Sequence, residues 1–537
     1  MIDTIIAGKV YLGSQILEAD ERAISSGVSS IELMENAGRS CVLEIKKIFS
    51  CLYGRRAVIF CGKGNNGGDG LVIARLLHKQ GCEVMVLIIS SDLNLKDDPG
   101  QNLARLQGLG VKPLLLNDNK WSVERVLGNF SPDIIVDAIF GIGLSGEVQG
   151  LYRLSIDRIN NLAAYLKQKN NNGLPLLVSV DCPSGIDSNT GMVLGTAVKA
   201  DLTITFSGYK YGLLNQPGAS YTGRIVLADV GIDEKFMPES GIFYTTSSAV
   251  KDSLKPRLPY GHKGDFGIIL MIAGSYGMAG AAALAAKAAF LSGAGLVRVV
   301  LPSSIYPVVS TLTPEATYLP ISGKNEKYLD HECIYRILDE VGTSDVVLIG
   351  PGLGREKETG VLVRDLIKSI DKPFVLDADG IYALAENIDV IFEKKTECIL
   401  TPHPGELSRL IGDKIPYDRR LQLNRDFAMN FRLISVLKGS RTLITSETGD
   451  TFINLSGNHG MATGGSGDVL AGLIASLIGQ GNDPFVSAAA GAFLHGLSGD
   501  MAANKKGKVS ITAVDVLNFL SSAFLKLNIN REQEKAR

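Results

Sequence analysis

Short apolar runs recur along the chain, separated by segments of helix length. AVIF (57–60) is followed by a glycine-rich turn and by LVIARLLHKQ, which ends near Gly81. EVMVLII (83–89), DIIVDAIF (133–140), LLVSVD (176–181), LTITF (202–206) and RIVLADV (224–230) continue the rhythm. These runs are rich in β-branched residues and mostly do not alternate with polar ones, as expected of parallel strands buried on both faces. Residues 14–48 predict two helices ahead of the first strand. The pattern lapses over 233–262, where Pro, Ser and Thr collect, and this stretch is expected to divide two domains. It then restarts. FGIILMIAG (266–274) predicts a strand into a glycine turn, AGAAALAAKAAFLSG (279–293) a helix with a glycine stop, and LVRVVLP a strand. DVVLIGPGLG, PFVLDADG and ECILTPHPGE predict strands ending in polar turns, and 432–454 predicts strands joined by turns. Two α/β domains with largely parallel sheets between helices follow, over 1–240 and 250–527, with 528–537 as a solvated tail.

Length and composition agree. The 537 residues exceed one ordinary core. Apolar content of 45%, charged content of 20% and a net charge of −2 suit a globular chain without a basic field for nucleic acid. The N-terminus lacks a basic region followed by a long apolar stretch, so no signal peptide is expected. The most apolar window is alanine-rich and interrupted by Lys287, which predicts a buried helix and no membrane partner. Seven scattered cysteines, with no CxxC pair, fit a reduced cytoplasmic setting. His78, His262, His331, His459 and His495 have no metal-like spacing. His495, in an alanine-rich helix, is expected to be a core or interface residue.

Two glycine-rich turns carry candidate chemistry. In MATGGSGDVL (461–470) the helical stripe Ala471, Leu473, Ile474, Leu477 and Ile478 puts Gly465, Ser466 and Gly467 at a helix N-terminus. Free N–H groups and the helix dipole there favour an anion. Asp468, in the first turn, could take a proton from a hydroxyl attacking a phosphoryl group. Equally, it could be a helix-start residue favoured by the dipole. The segment lacks the GxxxxGK[ST] pattern of a P-loop, and CGKGNNGGDG (61–70) lacks the GxGxxG dinucleotide spacing.

Eight segments of the second half, HKGDFG (262–267), AGSYGMAGAA (273–282), GAGLVRV (293–299), GPGLG (350–354), LDADG (376–380), TPHPGE (401–406), KGS (438–440) and GMATGGSGDVLAG (460–472), occur together and in order. They resemble the NAD(P)H-hydrate dehydratase domain, which implies a ribokinase-like fold. ELMENAG (32–38), GNNGGDG (64–70), VDAIFGIGLSG (136–146) and VDCPSGID (180–187) resemble the NAD(P)H-hydrate epimerase domain, which implies a Rossmann-like fold. Joined in one chain, they resemble the bifunctional NAD(P)H-hydrate repair enzymes. That resemblance implies small-molecule substrates, the hydrated forms of NADH and NADPH. One domain would interconvert the two epimers; the other would remove water from the S epimer, consuming a nucleotide and releasing AMP and phosphate.

The resemblance also implies residue roles. In the first domain Asn65, Asn66, Gly67, Gly68 and Asp69 match substrate positions. So do Gly141, Ile142, Gly143, Leu144, Ser145, Gly146 and Glu147, together with Tyr152 and Asp181. Asn66, Asp137 and Ser184 match positions holding a potassium ion; oxygen donors of these types suit such a cation, although each alone could be a turn former or helix cap. Asp181, at a strand end before Cys182-Pro183, is the expected acid/base for epimerisation, with a turn before proline as the alternative. In the second domain Ala273, Gly354, His403 and Asp468 match substrate positions, with Asp468 catalytic. Lys438, Gly439, Ser440, Arg441, Thr442 and Gly467 match the ADP/AMP site. His403, flanked by prolines, could instead be a turn residue bonded to backbone. Mg2+ is expected with the nucleotide, as ADP or ATP, and a homo-oligomer is expected. A ribokinase-like small-molecule kinase with a regulatory nucleotide-binding N-terminal domain is the rival reading.

Overall fold

The computed structural model describes residues 8–117, 126–170, 173–257, 259–322 and 326–527. The proposed tail, 528–537, lies outside the described residues. The chain forms two compact units that divide between Ser240 and Gly241.

In the first unit a seven-stranded sheet is parallel throughout. Its order across the sheet is Leu114–Leu116, Glu83–Ile89, Arg56–Cys61, Ile134–Ala138, Leu176–Val180, Leu202–Phe206 and Arg224–Ala228. Unalternating apolar strands suit this position because both faces are covered. Ala57, Ile59 and Cys61 share one buried cluster with Cys41 and Ile45 of helix Ser30–Phe49 and with Leu71 and Ile73 of helix Asn65–Lys79. Val58 and Phe60 join Ile156 and Ile159 of helix Gly150–Asn170 on the other face. Each such aliphatic side chain contributes about 1.5–3 kcal/mol by leaving water. The chain runs outward from Arg56–Cys61 in one direction and resumes at Ile134–Ala138 in the other. A crevice beyond the carboxyl ends of two such strands is where ligands bind in open α/β sheets.

In the second unit the strands run in the order Thr317–Ile321, Leu296–Pro302, Ile268–Ile272, Val346–Ile349, Phe374–Leu376, Cys398–Leu400, Ile434–Leu437, Leu443–Thr445, Thr451–Ile453 and Ile242–Tyr244. Pairing is parallel as far as Ile434–Leu437, then antiparallel through the next two strands. Helix Ala279–Leu291 lies against helix Ser466–Gly479 so closely that a β-carbon on Gly472 would strike the Ala285 carbonyl. The alanine-rich helix therefore serves packing within the chain. No helix among the described residues is long and apolar enough to cross a membrane, and all seven cysteines are free thiols.

Three local expectations need correction. The stretch 233–262 is not irregular throughout: Ile242–Tyr244 pairs in parallel with Thr451–Ile453, and helix Ser247–Ser253 follows. A strand of three residues carries no periodicity, and its pairing is supplied from about 200 positions away in the chain. The turn 61–70 is shorter than its glycines suggest, because the helix begins at Asn65. Its glycines permit close contact: a β-carbon on Gly67 would strike the Gly62 carbonyl, and one on Gly70 would lie 2.7 Å from Ala138 Cβ. Strands Gly8–Tyr11, Leu114–Leu116, Tyr209–Lys210 and Thr317–Ile321 were not foreseen.

Candidate functional site

In the first unit, turns at the carboxyl ends of Arg56–Cys61, Ile134–Ala138, Leu176–Val180 and Leu202–Phe206 bring the expected residues together. Asn66 lies in the first turn of its helix with its side chain buried. Neither its amide nitrogen nor its oxygen has a partner among the described residues. An unpaired buried amide is costly, so this one is available to something the chain does not supply. Asp137 is fully buried at its strand end. Its Oδ1 accepts from Ser184 Oγ at 2.5 Å; its Oδ2 accepts from Ser179 Oγ at 2.8 Å and from the Ser184 N–H at 2.9 Å. Burial raises its carboxyl above the usual range, against these hydrogen bonds.

Asp181 follows Leu176–Val180 with φ of +64°, a region few non-glycine residues adopt. Its Oδ1 accepts from Lys210 Nζ at 2.6 Å, and its Oδ2 accepts from the Ile142 N–H at 3.3 Å. Gly141 lies between Asp181 and Asn66: a β-carbon there would stand 3.1 Å from Asp181 Oδ2 and 3.3 Å from Asn66 Oδ1. Asp69 is half-buried, and burial, with Asp181 next, pushes its carboxyl well up. Asp20, on helix Gly13–Ser25, is raised to about 6, chiefly by burial. Tyr152 sets its ring against that of Phe140, with centroids 4.7 Å apart and the planes tilted by 49°. Asn65, Gly143, Ser145, Gly146 and Glu147 are exposed, and Gly141, Ile142 and Leu144 half-buried. The 141–147 turn is thus a rim over a buried polar floor.

The second unit collects a comparable set. Gly465, with φ of +88°, caps helix Ser466–Gly479, which places Gly467 and Asp468 in its first turn. Lys438 Nζ donates to Asp377 Oδ1 at 2.7 Å, and Thr401 Oγ1 donates to the same oxygen at 2.6 Å. A β-carbon on Gly467 would stand 3.2 Å from Lys438 Nζ. A lysine ammonium facing the start of a helix makes an anion site. Burial, then the Asp377 charge, pushes the Asp468 carboxyl up to about 7 despite Lys438. Burial alone would lower the Lys438 ammonium, but Asp377, with Glu406 and Asp468, holds it above its usual value.

The turn 438–442 is held from behind. Arg420, buried, donates to the carbonyls of Ser440 at 2.8 Å, Leu437 at 3.0 Å and Lys438 at 3.1 Å. Arg441 donates to the Leu455 carbonyl at 2.7 Å, and Thr442 Oγ1 to the Gly439 carbonyl at 3.1 Å. Ala273 is fully buried at its strand end; Gly354 donates its N–H to Asp379 Oδ2 at 3.0 Å. His403 caps helix Pro404–Ile411: its Nδ1 accepts from the Gly405 N–H at 3.0 Å, and its own N–H is received by Glu406 at 2.7 Å. The turn role considered for His403 is therefore present, and its ring remains exposed. His495 approaches Ser466 Oγ to 3.3 Å, and burial pushes its imidazolium down to about 4. Sequence reasoning missed Lys210, Asp20, Arg420 and Asp377. Only Asp377, ending an apolar run before a glycine turn, carried a visible signal.

Comparison with known proteins agrees with this division. Residues 30–212 match the family described as YjeF-related protein N-terminus, and residues 269–521 match NAD(P)H-hydrate dehydratase. The chain is 39% identical to a bifunctional NAD(P)H-hydrate repair enzyme of Moorella thermoacetica, covering 94% of each protein. It is 37% identical to one of Thermofilum pendens, covering 97% of each. A solved ADP/ATP-dependent NAD(P)H-hydrate dehydratase of Bacillus subtilis, co-crystallised with ATP and Mg2+, is 28% identical over 53% of this chain and 98% of that one, with a TM-score of 0.46. By its full-length relatives, the chain belongs to the bifunctional NAD(P)H-hydrate repair enzymes.

Proposed function

We propose that the second unit dehydrates hydrated NADH and NADPH by way of a phosphoester, with Asp468 as general base. The observation that carries this reading is a carboxylate poised near neutrality in the first turn of a helix, beside a lysine and a glycine that favour an anion. Asp468 takes the proton from the hydrate's hydroxyl, whose oxygen then attacks the terminal phosphoryl group of ADP, and AMP leaves. Lys438 and the N–H groups around Gly467 offset the charge that develops on the phosphoryl oxygens. The C–O bond then breaks, phosphate leaves with the electron pair, the adjacent carbon loses a proton, and the ring double bond returns. Residues 438–442 hold the nucleotide, and Ala273, Gly354 and His403 border the nicotinamide. Magnesium, bound mainly by phosphates and water, would neutralise phosphate charge; Asp377, whose Oδ2 would lie 3.9 Å from a β-carbon on Gly467, and Asp468 are the carboxylates that would hold it.

The first unit epimerises the hydrates, with Asp181 as the acid/base under the 141–147 rim and the 65–69 turn. The chain's residues also fit a potassium ion. Asn66 Oδ1 lacks a partner among the described residues, and Asp137 is a buried carboxylate. Asn66, Asp137 and Ser184 would hold the ion, which would supply positive charge toward an anionic substrate group.

The test is incubation of mixed NADH-hydrate epimers with ADP, ATP or no nucleotide, following reduced-nicotinamide absorbance against an enzyme-free control. Recovery beyond the share of the reactive epimer with one nucleotide supports both activities and identifies the donor. Recovery that stops at one epimer removes the epimerase reading. A phosphoester that accumulates instead of NADH moves the kinase reading to the front.

A further inference from the structure

We propose that Lys210 is a positioning residue for epimerisation, locking one oxygen of Asp181 so that the other faces the Gly141 turn. The proposal rests on the reading of Asp181 as the acid/base. Lys210 follows the strand Leu202–Phe206 in a two-residue strand, Tyr209–Lys210, paired in parallel with Val10 and Tyr11. Its side chain is 0% exposed. Its ammonium has three protons and three acceptors: Asp181 Oδ1 at 2.6 Å, the Phe206 carbonyl at 2.7 Å and Thr205 Oγ1 at 2.8 Å. No proton is left for a substrate, so Lys210 can act only through Asp181.

A buried ion pair is a poor source of fold stability, because desolvation offsets the attraction. This one also accompanies a strained backbone at Asp181, the usual mark of a functional constraint. Its geometry divides the carboxylate's labour. Oδ1 takes the lysine, with Thr205 Oγ1 at 3.4 Å. Among the described residues Oδ2 takes only the longer Ile142 N–H bond, and it lies where Gly141 has no side chain to block it. The ion pair also stands among further acidic groups. Asp20 from helix Gly13–Ser25 and Asp69 from helix Asn65–Lys79 act on the same pocket, with the Cys41 and Cys182 thiols. Without Lys210, Asp181 would lose its counter-charge and its fixed orientation.

The test uses Lys210→Met, Lys210→Arg and Thr205→Val in the full chain. Epimerisation is measured across pH, and dehydration of the pure S hydrate reports on the second unit in each preparation. Lys210→Met should lower epimerase kcat by at least ~100-fold with KM little changed, and move the acidic limb of the profile to higher pH. Lys210→Arg should recover part of kcat and return the limb. Thr205→Val, which removes one acceptor and conserves volume, should move both readouts the same way by less, and serves if Lys210→Met does not fold. A wild-type kcat and profile in Lys210→Met, or in Thr205→Val where that variant alone folds, would overturn the proposal. Asp181→Asn separates the two claims. If it epimerises normally, the acid/base reading fails; if it is inactive while Lys210→Met is normal, only the positioning role fails.

Discussion

Lys438 and Asp377 meet at 2.7 Å beside Gly467, one residue before Asp468. The cation is thus paired with Asp377 and acts on Asp468 only through its charge. Asp377, which also receives Thr401, is the better satisfied. Asp468 is left with the desolvation, and this is why its proton is held to near neutral pH.

Removing that proton should therefore control dehydration. The base works when deprotonated, so kcat/KM for the S hydrate should rise with pH through about 7 and then level. Asp468→Asn should lower kcat by about 100-fold or more while leaving epimerisation intact. A pH-independent rate between 5 and 9 would remove Asp468 from this role.

The same shift has a thermodynamic sign. The Asp468 pKa is raised on folding, so between pH ~4 and ~7 the folded chain holds a proton that the unfolded chain releases, and stability falls as pH rises. Asp468→Asn lacks this loss. Its melting temperature relative to the parent should climb from pH 4 to pH 7 and then stay constant, as read by scanning calorimetry of the second unit's transition.

Arg420 is expected to matter without touching a reactant. It holds three carbonyls of the 437–440 turn. Arg420→Met should leave these unpaired and raise the nucleotide KM by about tenfold or more, each lost buried bond being worth about 1–3 kcal/mol. Epimerisation should not change. Initial rates against nucleotide concentration decide it.

Gly67→Ala tests the first turn. The added carbon meets the Gly62 carbonyl, so it should destabilise the first unit by about 1–3 kcal/mol and lower epimerase activity alone. Denaturant melts followed by both activities would show it.

Potassium should act on epimerisation only. Exchange of potassium for a bulky organic cation should slow epimerisation in the parent and have no further effect in Asn66→Leu. Parallel assays of the S-epimer dehydration provide the control.

The apolar runs and the glycine stops made most of the architecture legible, because a strand buried on both faces must be apolar and a helix must be capped. The helix start before Asp468 was visible for the same reason. What failed was local brevity. Ile242–Tyr244 and Tyr209–Lys210 have too few residues to show a period and exist only because partners lie beside them.

The sequence by itself determined the two α/β units, the turns at the strand ends, and the places of Asp181 after a strand and Asp468 in the first turn of a helix. These depend on residues near one another in the chain. Tertiary structure alone decided which cations stand behind these sites. Lys210 and Arg420 look like ordinary surface cations in sequence, yet both are buried, each at the centre of three acceptors. Electrostatic environment is a sum over neighbours in space, and those neighbours come from distant parts of the chain.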